Sequence, residues 1–86
     1  MPTISRFYGI VILMYWNDHA PPHFHALYGE DEGVVALDSL ALIRGHLPHR
    51  AMNMVVEWAE QHSRELEEDW ELCRSRQMPN KIEPLG

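Results

Sequence analysis

Two hydrophobic patterns divide the chain. From Thr3 to about Gly45 the apolar residues form short β-branched and aromatic runs separated by glycines, prolines and acids, whereas from Pro48 to Arg74 they recur at steps of three and four. The first pattern is that of strands and the second that of a helix with one apolar face.

The first run, Ile4 to Tyr8, is separated by Gly9 from a longer one, Ile10 to Trp16. Gly9 therefore marks a tight turn or a bulge. Ile10, Ile12, Met14 and Trp16 alternate with Val11, Leu13 and Tyr15, so both faces of this run are apolar, which predicts a central strand covered on both sides. Next, Asn17 to Pro22 forms a loop stiffened by Pro21 and Pro22. A strand resumes at His23, and period-two alternation places His23, His25 and Leu27 on one face and Phe24, Ala26 and Tyr28 on the other. Gly29 to Gly33 reads as a hairpin loop leading into Val34 to Asp38. Leu40 to Ile43 reads as a fourth strand or strand-like extension ending at Gly45.

Pro48 suits the first position of a helix. Ala51, Val55, Trp58, His62, Leu66, Trp70 and Cys73 then line one face of a single helix over about 48–74. Such a helix would be roughly 38 Å long, so it overhangs the sheet or a kink divides it. Pro79 stops it, and Ile82 and Leu85 in the irregular tail, 77–86, are candidates for docking on the body. The expectation is a single α+β domain over 1–86, with a small antiparallel sheet of three or four strands packed against one long C-terminal helix. One helix covers one face of a sheet, and the doubly apolar strand needs a second cover. A second copy of the sheet is the simplest, which predicts a homodimer through the sheet.

Composition narrows the function. With 86 residues and a 45% apolar fraction the chain is an ordinary globular domain rather than a disordered one. Its net charge of -6 is concentrated between Glu57 and Glu71, which repels phosphate backbones and makes direct nucleic-acid binding unfavourable while suiting a basic protein partner. A single cysteine, Cys73, no signal-like leader and no apolar run approaching about 20 residues predict a cytoplasmic protein that neither spans a membrane nor relies on disulfides.

The chemistry is concentrated in Asn17 to His25, where three of the six histidines and Asp18 fall together. His23 and His25 project from the same face of a strand, His19 and Asp18 sit on the loop before it, and His62 interrupts the helix stripe. Imidazole with carboxylate is a ligand set for a divalent transition metal such as zinc, so His23, His25, His19, Asp18 and His62 are the metal candidates. The metal-free alternative makes His19, His23, His25 and Asp18 acid-base catalysts. A His-x-His pair lacks the paired spacing that makes zinc-finger motifs specific, and histidines that merely cap a proline-rich loop account for the same pattern. His46 and His49 read as surface residues, Trp58 and Trp70 as core, and Cys73 as packing.

Ile4-Ser5-Arg6-Phe7-Tyr8-Gly9-Ile10, Met14-Tyr15, Asp18-His19, Pro21-Pro22-His23-Phe24-His25 and Tyr28-Gly29 resemble the bacterial family known as domain of unknown function 4160. Leu47-Pro48, Glu57-Trp58, His62, Glu65-Leu66, Trp70 and Ile82-Glu83-Pro84-Leu85 extend the resemblance over nearly the whole chain; Leu13 and Cys73 depart from it. The resemblance implies a small bacterial protein encoded beside a second uncharacterised family, domain of unknown function 2442, hence a two-gene module, with toxin and antitoxin as one interpretation. It implies no catalytic residues. Charge and resemblance together favour a protein-interaction or regulatory component of such a module. The alternative is a metal- or histidine-dependent hydrolase, or a ribonuclease-like toxin, using the Asp18 to His25 loop.

Overall fold

Two tight turns set the register of the sheet. In the computed structural model, which describes residues 2–16 and 18–86, Tyr8 and Gly9 both have positive φ, 48° and 81°. That is the conformation whose twist suits a two-residue hairpin. The turn joins β1 (Thr3–Phe7) to β2 (Ile10–Leu13) with Phe7 opposite Ile10. The second turn is Gly29-Glu30, with Gly29 at φ 60°, joining β3 (His23–Tyr28) to β4 (Asp31–Ala36) with Tyr28 opposite Asp31. The hairpin loop is thus two residues long, not the five from Gly29 to Gly33.

β5 (Leu42–Gly45) completes an antiparallel meander in the order β1-β2-β3-β4-β5. Among the described residues the sheet has five strands rather than three or four, because Gly9 makes a full turn and Leu42–Gly45 is a strand of its own. β2 ends at Leu13 rather than Trp16, and the middle strand is β3.

Two helices, α1 (His49–Gln61) and α2 (Ser63–Arg74), replace the single long one. His62, at φ -127° and ψ 27°, leaves helical geometry between them. A straight helix of about 38 Å would exceed the molecule's longest dimension, 33 Å, so the break keeps both apolar stripes on the sheet. Ala51, Val55, Trp58, Leu66, Trp70 and Cys73 all enter the core with Ile12, Phe24, Ala26 and Val35. Trp58 lies 5.3 Å from the Phe7 ring and 5.9 Å from Phe24, contacts that add about 0.5–1.5 kcal/mol each beyond area burial.

The tail is fastened by hydrogen bonds. The Asn80 N–H donates to Asp69 Oδ1 at 2.8 Å, the Ile82 N–H to the Ile4 carbonyl at 2.8 Å, and the Trp58 indole N–H to the Glu83 carbonyl at 2.8 Å. Ile82 is buried and Leu85 half-buried, as their apolar character suggests. Burial pushes the Cys73 thiol up to about 11, with Asp69 adding to it, and the thiol faces the Met14 carbonyl. Such a cysteine is packing rather than a nucleophile.

Paired residues of a ladder share a face, so the face away from the helices carries Val11, Leu13, His25, Leu27, Val34 and Arg44. Leu13 and Val34 are nevertheless only 3% and 7% exposed. The segment between β2 and β3 folds back over this face: Tyr15 packs on His25, and Asp18 reaches both β3 histidines. Part of the second cover expected of a partner copy is therefore supplied by the chain itself. Asn17, at the start of the expected loop, lies outside the described residues, as does Met1.

Candidate metal centre

β3 delivers the two histidines and the returning loop delivers the carboxylate. The period-two geometry of the strand sends Phe24 and Ala26 into the core and His23 and His25 to the other face, where His23 is buried and His25 half-buried. Asp18 Oδ2 lies 2.8 Å from His23 Nε2 and 3.1 Å from His25 Nε2, so one carboxylate oxygen faces both rings. The other oxygen, Oδ1, accepts the backbone N–H of His19 at 2.9 Å, which orients the carboxylate.

The opposite ring nitrogens face acceptors as well. His23 Nδ1 lies 2.7 Å from the Pro21 carbonyl, which can only accept, so this nitrogen carries the proton. His25 Nδ1 lies 3.1 Å from Glu32 Oε2. With its proton on Nδ1, a neutral His23 has only a lone pair left at Nε2, and this nitrogen and His25 Nε2 face the same Asp18 oxygen. A proton or a metal ion held among these three atoms would complement the carboxylate.

The surroundings hold the ligand atoms in place. His23 lies between His25 and Trp70, with ring centroids 5.2 and 5.3 Å away, and Tyr15 meets the His25 ring edge-on at 4.4 Å. Burial acts to raise the Asp18 pKa, but the hydrogen bonds from His25, the His19 backbone and His23 outweigh it, leaving the carboxyl below its ordinary value. The Tyr15 phenol is pushed up by burial, then by the charges of Glu32 and Asp18. The protein's own charges thus create a negative field at the centre.

Asp18, His23 and His25 offer ligand atoms within 4.8 Å of one another and form the one such cluster among the described residues. His19 is exposed; it lines the same small hollow without joining the cluster. His62 does not join the cluster: it packs on Trp58 and pairs with Glu65 at 2.6 Å, whereas the helix residue that meets His23 is Trp70 of α2. His46 and His49 are exposed, as expected. Sequence reading missed the Pro21 carbonyl, Tyr15, Glu32 and Arg44. A two-residue turn at Gly29-Glu30 would have revealed Glu32, since it sets His25 opposite Val34 and Glu32 diagonal to it on the same face.

A family model described as Domain of unknown function (DUF4160) matches residues 9–71, a span that includes the whole centre and most of both helices. The chain belongs to this family. No curated protein and no solved structure matches it. The family description names no activity, so for this DUF4160 member function must be argued from the site. Among the described residues no helix is long and apolar enough to cross a membrane.

Proposed function

We propose that this protein binds one divalent transition metal at Asp18, His23 and His25 and acts as a small metal-dependent hydrolase. The observation that carries the reading is the division of the ring nitrogens: each Nδ1 meets an outside acceptor, Pro21 or Glu32, and each Nε2 turns to the shared Asp18 oxygen. Metal-binding histidines characteristically donate their remaining N–H to a carbonyl or carboxylate, which fixes the tautomer and raises ligand basicity. Ligand atoms at about 2.0–2.1 Å from a tetrahedral ion would lie roughly 3.3–3.4 Å apart, so the two contacts to Asp18, 2.8 and 3.1 Å, would open on metal uptake, the shorter by about half an ångström. Two histidines and one carboxylate leave coordination positions free on the solvent side, the pattern of catalytic rather than structural zinc. A metal bound there would lower the pKa of its water toward neutrality. The chain's residues would orient the ligands, and the exposed His19 ring would border the mouth.

Elemental analysis of untagged protein tests the reading, together with melting in zinc, nickel and manganese. One ion per chain is expected, lost in the His23→Ala/His25→Ala variant. Free metal at 100 times its Kd stabilises by about 2.7 kcal/mol, a rise of roughly 10 to 20 °C for a domain of this size. Absence of metal together with absence of any shift would refute the reading.

Half-buried Val11 and Leu27 on the outer face and exposed Leu42 and Ile43 on the edge strand support a second role. These residues suit a homodimer through the sheet, and the acidic surface of α2 suits a basic partner encoded nearby in a two-gene module. On this reading the protein is an interaction or regulatory component.

A further inference from the structure

Arg44 stands out on the surface around the centre. In the ladder across the outer face, His25 is opposite Val34 and Val34 is opposite Arg44, so the arginine is on the same face as the histidines, two strands away. The register of β5 shifts between Val34 and Val35, placing one extra residue in the edge strand. In a regular strand neighbouring residues point to opposite faces. Here Ile43 and Arg44 both line the hollow that also contains Asp18, His19, Pro21, His23 and His25. Bulges of this kind recur beside active sites because they re-aim side chains.

Arg44 has no ion-pair partner among the described residues, although acids outnumber bases 13 to 7 in the chain. An unpaired guanidinium beside a metal centre is suited to an oxyanion, whose planar or tetrahedral oxygens match the arginine fork. The hollow measures about 80 Å³, room for one such group and a water or two at about 30 Å³ per water. Long polyanions are disfavoured by the net charge of -6.

Resting on the metal reading above, we infer that Arg44 forms an anion subsite: the substrate is a small molecule presenting one oxyanion group, phosphoryl or carboxyl, between the metal and the Arg44 guanidinium. Charge makes the two cations interdependent. With both imidazoles neutral, the charges of Asp18 and Glu32 exceed that of Arg44 while the site lacks metal, and a divalent ion turns the balance positive. Anion binding is therefore conditional on metal, and Arg44 contributes to it without contributing to metal affinity.

Calorimetry with the full chain, zinc-loaded and zinc-free, titrated with inorganic phosphate and separately with acetate, tests this. Binding of phosphate or acetate is expected only with zinc, and the stronger of the two identifies the group. Arg44→Gln should retain one zinc per chain and the wild-type melting temperature while weakening the anion roughly tenfold or more, with Arg44→Lys intermediate. Unchanged anion affinity in Arg44→Gln, equal binding without zinc, or no binding of either anion to the zinc-loaded chain would overturn the subsite and leave the metal centre intact. Failure of the wild type to take up zinc or any other metal would overturn both.

Discussion

Asp69 provides a prediction whose size follows from its surroundings. It is 1% exposed on α2, its Oδ1 accepts the Asn80 N–H, and its Oδ2 has no partner among the described residues. Burial raises its pKa from 3.8 to about 6 against the lowering effect of the Asn80 hydrogen bond, with Glu65 and Glu68 raising it further. Below about pH 4 both folded and unfolded chains hold this proton, and the group has no effect on the pH dependence. Between about pH 4 and pH 6 the unfolded chain releases the proton while the native one keeps it, so stability falls as pH rises. At about 1.4 kcal/mol per pKa unit the loss totals roughly 3 kcal/mol, and it is constant above the native pKa. Asp69→Asn keeps the oxygen that fastens the tail and has no charge to desolvate. Its unpaired amide hydrogens add a cost that does not vary with pH. Urea unfolding of both proteins at intervals from pH 4 to pH 7 should show the stability of the variant relative to wild type growing by roughly 2 to 3 kcal/mol. Parallel pH profiles would show that Asp69 titrates normally in the native state and refute the argument.

The remaining expectations concern packing and assembly. A Cβ at Gly33 would lie 2.6 Å from Leu42 Cδ1 and 2.8 Å from Leu47 Cγ; Leu42 can swing outward but buried Leu47 cannot, so Gly33→Ala should cost about 1–3 kcal/mol. A melting temperature equal to wild type would contradict that. Light scattering at micromolar concentration should give twice the 10.1 kDa chain mass if the half-covered outer face pairs with a second copy, and the single-chain mass would exclude the homodimer.

Much of the local structure was legible in the residues. Alternation along His23 to Tyr28 separates the outward histidines from inward Phe24 and Ala26 because strand geometry has a period of two. Spacing along Ala51 to Cys73 identifies the buried helix face for the corresponding reason. The stretch around Asp18 to His25 lies within the residues that match the family and holds the three members of the candidate site. These features depend on the repeat of the backbone and on residue type, which a sequence contains directly.

The tertiary structure decided how those elements meet. Local pattern does not say where along the sheet each helix residue lands, and it is Trp70 rather than His62 that meets His23. The fold-back that brings Asp18 Oδ2 to both rings depends on the path of a loop. Glu32 and Arg44 join the site through strand register, which rests on a two-residue turn at Gly29 and a bulge at Ile43. The break at His62 divides a helical stripe that, unbroken, would exceed the 33 Å extent of the molecule. Each is a relation between residues distant in sequence, set by closure of the whole core, and so absent from the local pattern of any one segment.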